Sequence, residues 1–329
     1  MSFPFNAYLL SFGGSFLIAA FSMPLWRAWC LHVGLNDDPG HRKIHDRPIP
    51  LAGGLAVATG ILLPLIGGAA VVQLGLLNVS VSAPLEYGFG RRTVQLAAIG
   101  GGALGMVLLG WFDDKHELKA GPKFIGQLLI AFLVAASGIR ITLFVDDLLF
   151  SYAITVLWIL TLTNAMNFMD NMNGLCSGLG VLASGNFALA AAAQGQYLVC
   201  LLALSACGAL LGFLPYNFPR ARAFLGDSGS HLIGYLLAVL AIMPHFYTSG
   251  GASTWAVLSP LFILAVPLGD LVSVVIIRWR NGKPFYIGDN NHLSHQLVRR
   301  GFSRSRAVLL IWLIAAAIDA TAFFLFKVV

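Results

Sequence analysis

The sequence predicts an all-α integral membrane protein with about ten transmembrane helices. Of its 329 residues, 58% are hydrophobic and 10% are charged, whereas soluble domains are roughly half apolar and a quarter charged. The mean hydropathy of +0.81 agrees with this imbalance, and the basic residues are spread unevenly between the apolar segments. These observations exclude an ordinary soluble domain, and residues 1–329 are expected to form a single polytopic membrane domain.

The predicted spans follow from the lengths of the apolar segments. A membrane-spanning helix needs about 20 mainly apolar residues. Ten segments are candidates, centred near residues 17, 62, 102, 131, 159, 184, 206, 238, 266 and 317. The segment near residue 131 is the shortest. The first segment lacks the positive charges that precede the core of a secretory signal, so we expect it to be retained as the first span.

The basic residues indicate the orientation of these spans. If ten spans alternate, the links that follow the odd-numbered spans lie on one side and contain 16 of the 20 Lys and Arg residues. Because cytoplasmic links carry an excess of Lys and Arg, this side is predicted to face the cytoplasm, with both termini outside. The net charge of +6 then reflects orientation among membrane lipids rather than binding to nucleic acid.

Two adjacent acids end the third predicted span. Asp113 and Asp114 would repel each other unless a proton or a cation compensated them, and a divalent metal or a nearby lysine is the natural partner. Lys123 follows at the start of the next span, where it can meet a phosphate. The alternative is a solvated acid pair at the membrane surface.

The end of the fifth predicted span combines amides with an acid. Asn164, Asn167 and Asn171 share one face if the helix continues, and Asp170 stands beside them. Amide and carboxylate oxygens suit a hard cation such as Mg²⁺, which often shares its coordination with substrate phosphates. Helix capping by these side chains is the alternative.

Three further links on the same side carry candidate residues. Asp227 lies in a glycine-containing segment before the eighth span, and it is expected either to hold a metal that bridges to a phosphate or to cap the helix. His292 and His295 can face one pocket if they are helical, and we expect them to hydrogen-bond phosphate rather than bind zinc. The alternative is a pair of surface histidines. The basic link with Arg42 and His45 would bind an anionic headgroup or anchor to anionic lipid.

Together these segments resemble the polyprenyl-phosphate N-acetylhexosamine-1-phosphate transferases, of the glycosyltransferase family 4 type. The resemblance covers residues 36–300, and six motifs in chain order make it highly specific. They are Arg42-Lys43-x-His45 with Pro48-Ile49-Pro50 and Gly53-Gly54, Asp113-Asp114 with Lys123 and Gln127, Asn164-x-x-Asn167-x-x-Asp170, Phe224-Leu225-Gly226-Asp227-Ser228-Gly229-Ser230, Pro267-x-x-Asp270, and His292-x-x-His295.

The resemblance implies an enzyme that transfers a sugar 1-phosphate from a UDP-N-acetylhexosamine to undecaprenyl phosphate, releasing UMP. Such enzymes require Mg²⁺, for which Mn²⁺ can substitute, and they initiate cell-envelope polysaccharides such as peptidoglycan, teichoic acid and the O-antigen of lipopolysaccharide. Their active site lies at the cytoplasmic face of the inner (plasma) membrane, where it reaches both the lipid and the soluble donor. A homodimer is compatible with this expectation.

The resemblance also assigns roles to individual residues by position. It implies metal binding by Asp227 and Asn167, catalysis by Asp113, Asp114, Asp170 and Lys123, and substrate binding by Asn217, Phe224, His292, His295, Arg42 and His45. By the same resemblance Asp113 and Asp114 would lie at the acceptor phosphate, and Asn217 and Phe224 would hold the uridine. The acceptor phosphate is already ionised at neutral pH because its second pKa is about 6, so the role of Asp113 as a base is left open.

The sequence departs from the family pattern at two places, and these differences bear on which sugar is expected. Asn173 stands where the family often has a second Asp, which removes a charge and argues against catalysis at that position. The histidine link also differs from the three-histidine run that is typical of the peptidoglycan branch. The sequence therefore favours the branch that transfers N-acetylglucosamine 1-phosphate to undecaprenyl phosphate.

Two rival interpretations remain at the level of sequence. A secondary transporter keeps its site near the middle of the bilayer, and the intramembrane acids Asp270 and Asp319 fit that description. The second rival is a non-catalytic relative that binds a lipid phosphate. The concentration of acids at one end of the spans favours the enzyme.

Overall fold

The computed structural model describes residues 3–37, 48–75, 79–143, 145–244, 257–284 and 290–326. The predicted substrate-binding residues Arg42 and His45 lie outside the described residues. Within them, the helices are α1 Phe5–Val33, α2 Gly53–Gln73, α3 Val79–His116, α4 Ala120–Ala136, α5 Leu148–Met169, α6 Leu175–Ala193, α7 Tyr197–Asn217, α8 Gly226–Ile242, α9 Ser259–Ile263, α10 Ala265–Arg280, α11 Leu293–Arg299 and α12 Arg304–Phe326. A short antiparallel pair joins β1 Asn36–Asp37 to β2 Ile49–Pro50.

The helices confirm an all-α protein that crosses the membrane several times. In the described part of the chain, six helices are long and apolar enough to span a bilayer, namely α1, α2, residues 92–116 of α3, α5, α6 and α7. Helices α4 and α8 are apolar but shorter, and α10 and α12 cover the last two predicted segments. The count of ten spans stays a prediction.

Helix α8 forms the centre of the bundle. It packs against α2, α3 and α5, and every residue of it except Asp227 and Ile242 is buried. Its first turn nevertheless lies at the end of the bundle, beside the link that leaves α3 and the link that leaves α5. Asp227, in the first turn of α8, therefore lies at the end of the bundle and next to its buried core.

Two glycines allow neighbouring helices to approach the first turn of α8. A Cβ atom on Gly110 of α3 would lie 2.3 Å from the backbone nitrogen of Ser228, and one on Gly54 of α2 would lie 2.3 Å from that of Gly229. Both distances are far below van der Waals contact between heavy atoms. The backbone of α8 is thus held directly against α3, which carries Asp113 and Asp114 at its end.

Candidate active site

A large cavity of about 1790 Å³ opens at the end of the bundle where these links meet. All five links that were predicted to lie on the cytoplasmic side, or the helix ends next to them, contribute to its wall. The predicted site residues that line it are Asp113, Asp114, Lys123, Asn167, Asp170, Asn217, Phe224, Asp227 and His295. Residues far apart in the sequence therefore share one chamber.

A lysine joins two of the acids. The Nζ atom of Lys123, on the first turn of α4, lies 2.5 Å from Oδ2 of Asp113 and 2.6 Å from Oδ2 of Asp227. The other oxygen of Asp113 accepts a hydrogen bond from the backbone N–H of Leu118 at 2.8 Å. Asn167 donates its amide to Oδ1 of Asp227, also at 2.8 Å. We call Asp113, Lys123, Asn167 and Asp227 the acidic cluster.

Asp114 has a different position from its neighbour. Its Oδ1 accepts the backbone N–H of Asp227 at 2.7 Å, and its Oδ2 accepts that of Ser228 at 3.1 Å. These N–H groups have no partner within the helix because they belong to its first turn. Asp114 therefore caps α8 from α3 and fixes where Asp227 lies. A direct contact with an acceptor phosphate stays a prediction.

Asp170 follows directly after α5, because that helix ends at Met169. The shared helical face that the asparagine spacing suggested therefore stops before Asn171, whose side chain turns to accept the hydroxyl of Ser294 at 2.6 Å. Burial raises the pKa of Asp170 well above its ordinary value, and the carboxylates of Asp227 and Asp114 add to this effect. Such a carboxyl group takes up a proton or a cation readily.

A row of polar side chains lies below the cluster, and of its three members Asn164 and Gln127 belong to the predicted motifs whereas His231 was missed. Asn164 donates to Oε1 of Gln127 at 2.8 Å, and Nε2 of Gln127 lies 3.3 Å from Nε2 of His231. His231 is completely buried on α8. Its position four residues after Asp227, which puts both side chains on one face of a helix, is the signal that could have identified it.

The side chain of Asn217 hydrogen-bonds to the backbone around the cavity. Its Oδ1 accepts the N–H of Gly174 at 2.7 Å, and its Nδ2 donates to the carbonyl of Ala223 at 3.0 Å. It thereby joins the turn after α5 to the loop before α8. Phe224 lines the same wall, and its backbone bonds to Pro50 and Gly53. Binding of uridine by these residues stays a prediction.

The two histidines occupy different environments. His292 precedes α11 and is 5% exposed, with Nδ1 2.7 Å from Oδ2 of Asp270 and its ring edge-on to Phe168. Oδ1 of Asp270 also accepts the N–H of Leu293 at 2.6 Å. His295 lies 5.8 Å from His292 between ring centres, and it is the one of the pair that lines the cavity.

Burial and neighbouring charges favour the neutral form of His295. Burial lowers the pKa of its imidazole below the ordinary value of about 6.5, and His292, Arg299 and Arg304 act in the same direction. At neutral pH the ring can therefore donate one hydrogen bond and accept another. Its Nδ1 is buried with no hydrogen-bond partner among the described residues, so the ring retains hydrogen-bonding capacity.

The intramembrane acids do not form a second chamber. Asp270 is held by His292 and Leu293, as described above, and Asp319 of α12 accepts the amide of Asn186 on α6 at 2.6 Å. Neither acid lines the large cavity. Asp147, on the far side of the bundle, caps α5 through the N–H of Phe150. These contacts give each acid a structural partner and do not favour the transporter interpretation.

The donor atoms at the cluster suit a divalent cation. Oxygens of Asp113 and Asp227 and a nitrogen of His231 all lie within 4.8 Å of one another. The carboxyl groups of Asp114 and Asp170 belong to the same region, because each of them interacts electrostatically with Asp227. Among these residues four carboxyl groups meet one ammonium, that of Lys123, so acidic groups are in surplus although Asp170 takes up a proton readily. A hard cation with oxygen ligands fits that surplus.

Comparison with known proteins identifies the family. Residues 96–245 match the model of glycosyl transferase family 4. The chain is 32% identical over 322 residues to the "probable undecaprenyl-phosphate N-acetylglucosaminyl 1-phosphate transferase" of Bacillus subtilis (strain 168), which covers 95% of this chain and 84% of that protein.

Two other relatives have related names. The decaprenyl-phosphate N-acetylglucosaminephosphotransferase of Mycobacterium tuberculosis (strain ATCC 25618 / H37Rv) is 33% identical over 327 residues, which cover 90% of this chain and 77% of that protein. The undecaprenyl-phosphate alpha-N-acetylglucosaminyl 1-phosphate transferase of Escherichia coli (strain K12) is 26% identical over 300 residues, with 86% and 74% covered. The predicted resemblance is confirmed, and the chain belongs to glycosyl transferase family 4.

Proposed function

We propose that this membrane transferase moves N-acetylglucosamine 1-phosphate from UDP-N-acetylglucosamine to undecaprenyl phosphate. An oxygen of the lipid phosphate attacks the β-phosphorus of the donor, the bond from that phosphorus to the bridging oxygen breaks, and UMP leaves with the electron pair. The products are a lipid-linked diphosphate sugar and UMP. The names of the relatives support the acceptor and the sugar phosphate. We also propose that this step initiates a cell-envelope polysaccharide.

One observation carries the proposal: acids from three separate helix ends and a lysine from a fourth meet in one cavity. Transfer between phosphates depends chiefly on positioning and on neutralising charge. Lys123 holds Asp113 and Asp227 together by touching both carboxylates. Asp114 fixes the first turn of α8 beneath them through two backbone N–H groups.

The cofactor is proposed to be Mg²⁺, with Mn²⁺ as a substitute. Asp227 and Asp113 would hold it through the oxygen ligands that Mg²⁺ prefers. Asn167 donates its side-chain nitrogen to Asp227 in this structure and would offer its side-chain oxygen once that amide has turned over. When bound, the ion would neutralise charge that develops on the diphosphate. Lys123 is the protein group that would steady phosphate charge beside it. The acceptor phosphate is ionised at neutral pH, so Asp113 is not required to remove a proton.

An apolar wall next to the cluster supports a lipid acceptor. The cavity extends from Lys123 along side chains of α4, α5, α10 and α12, namely Phe124, Leu157, Leu160, Leu271, Val275 and Val308. Phe124 and Leu157 are also more than half exposed on the outer surface of the bundle. A prenyl chain lying in the bilayer could therefore present its phosphate to Lys123 without leaving an apolar environment.

The opposite wall suits the nucleotide sugar. Asn217 and Phe224 are proposed to contact the uridine, and His295 the phosphate or sugar. His292 does not line the cavity and is proposed to serve substrate binding from its position beside His295. His295 faces the cavity with its Nδ1 lacking a partner among the described residues, and Asp270 holds the ring of His292. Arg42 and His45 are proposed to complete the substrate site from the first link.

We further propose that the protein lies in the inner (plasma) membrane as one domain spanning residues 1–329, with about ten spans. The cavity would face the cytoplasm and both termini would lie outside, as the bias of Lys and Arg toward the cavity-side links supports. UDP-sugars would then reach the site directly. A homodimer is compatible with this arrangement and stays a prediction.

The proposal is tested with purified protein, undecaprenyl phosphate, Mg²⁺ and a panel of UDP-sugars. We expect a lipid-linked product and UMP with UDP-N-acetylglucosamine. Asp227→Asn should reduce the rate at least about 1000-fold while the protein stays folded, and the control Asp146→Asn, at an exposed acid on the far side, should leave it unchanged. Formation of neither product by the folded wild-type protein would contradict the proposal.

A further inference from the structure

His231 stands out because its chemistry does not match an apolar core. It is fully buried on α8, one helical turn beyond Asp227. One of its ring nitrogens lies within 4.8 Å of carboxylate oxygens of both Asp113 and Asp227. Within the described residues, no other set of three His, Cys, Asp or Glu side chains brings its ligand atoms so close together.

The hydrogen bonds around His231 define the state of its ring. Asn164 donates to Oε1 of Gln127 at 2.8 Å, so the amide nitrogen of Gln127 is the atom that faces the ring, 3.3 Å from Nε2. An amide nitrogen can only donate. Nε2 of His231 is therefore unprotonated, and its lone pair accepts this hydrogen bond; a cation that binds to Nε2 would take the lone pair over from Gln127.

The other ring nitrogen has no partner in the described part of the chain. Nδ1 of His231 is buried without a hydrogen bond among the described residues, and an unpaired polar group in the interior is costly. The hydrogen bond that His231 accepts from Gln127 does not use Nδ1. The imidazole of His231 lies beside the carboxylates of Asp113 and Asp227, where it could bind a cation together with them.

The carboxylates of Asp113 and Asp227 already bind one positive charge. The ammonium of Lys123 contacts Asp113 at 2.5 Å and Asp227 at 2.6 Å. A divalent cation at the same carboxylates would meet the ring of His231 from the core side and the cavity from the other. The lysine side chain is long and flexible enough to turn toward a phosphate in the cavity.

We propose that His231 supplies a nitrogen ligand to the divalent cation bound by Asp113 and Asp227. Imidazole binds first-row transition metals well, whereas Mg²⁺ prefers oxygen ligands. His231 would therefore shift the preference of this site from Mg²⁺ toward ions such as Mn²⁺. The inference rests on the proposed metal dependence of the transferase, and it concerns binding of the ion before any substrate is present.

The test measures Mn²⁺ binding to the metal-free, full-length protein in detergent without substrates. Electron paramagnetic resonance gives the affinity, and electron spin echo modulation from ¹⁴N reports a nitrogen bonded to the ion. We expect ¹⁴N modulation in the wild type. His231→Gln should remove it and weaken Mn²⁺ binding by about tenfold or more, with less than about a threefold change for Mg²⁺. The matched control His32→Gln, at an exposed histidine at the end of α1, should change neither.

A measurement on the wild type alone covers the case in which His231→Gln does not fold. Protein labelled with ¹⁵N-histidine should show ¹⁵N in place of ¹⁴N modulation. Absence of any histidine coupling, or its persistence in folded His231→Gln, would overturn the inference. Transfer activity without histidine coupling would leave the proposed function intact and remove this ligand. Histidine coupling without transfer activity would support the ligand and contradict the proposed function.

Discussion

The close approach of α3 to α8 leads to a quantitative prediction for Gly110→Ala. The new Cβ atom would lie 2.3 Å from the backbone nitrogen of Ser228 and 2.4 Å from the carbonyl carbon of Asp227. Heavy atoms in contact are normally about 3.5 Å apart, so the two helices must separate by about 1 Å. Both obstructing atoms belong to the backbone, and a rotamer change cannot relieve the overlap.

This separation would act on the acidic cluster directly. Asp113 moves with α3 and Asp227 moves with α8, so the 2.5 Å and 2.6 Å contacts that Lys123 makes with them cannot both be kept. A misplacement of about 1 Å can cost on the order of 100-fold in rate, which corresponds to roughly 3 kcal/mol in the activation free energy. We therefore expect kcat of Gly110→Ala to fall by about 100-fold.

The assay follows transfer of radiolabelled sugar phosphate to undecaprenyl phosphate by purified variants of equal monodispersity. Gly100→Ala is the matched control, because Gly100 lies on the same helix and a Cβ there meets no atom within 4 Å. It should retain the rate of the wild type. A rate for Gly110→Ala within about threefold of the wild type would refute the claim that helix contact positions the cluster.

Three other changes have defined outcomes. Asp270→Asn should raise the KM for the UDP-sugar by about tenfold, with a smaller effect on kcat. The reason is the loss of a charged hydrogen bond to His292, worth about 1.5–3 kcal/mol. An unchanged KM would show that the contact between Asp270 and His292 does not affect donor binding. Asn217→Ala should lower the melting temperature by several degrees in scanning fluorimetry, since two buried backbone groups lose their partner, and an unaltered melting curve would contradict that role. Removal of divalent cations with EDTA should abolish transfer, and Mg²⁺ should restore it; full activity in EDTA would exclude a metal at Asp227.

Much of the architecture could be predicted from local properties of the sequence. Apolar segments of sufficient length identify spans because a helix is the simplest way to satisfy the backbone in lipid. Candidate residues such as Asp113 and Asp227 were recognisable because charged residues at the ends of apolar helices are conspicuous. Their convergence on one cavity followed from assigning all their links to one side of the membrane.

The remaining features depend on contacts between distant parts of the chain. No local pattern shows that Asp114 caps a helix that begins at Gly226, or that Asn186 pairs with Asp319. The end of α5 at Met169 was also hidden, because the asparagine spacing is compatible with a longer helix. His231 was overlooked since a single histidine in an apolar segment has no visible partner until α4 is packed against α8.

The most direct test of the central claim is the fate of the β-phosphorus of the donor. UDP-N-acetylglucosamine labelled with ³²P at the β position is incubated with the protein, undecaprenyl phosphate and Mg²⁺. Transfer of the sugar phosphate predicts that the label enters the lipid fraction while unlabelled UMP is released. Release of labelled UDP together with an unlabelled glycolipid would show that the bond to the sugar breaks instead, and it would contradict the account.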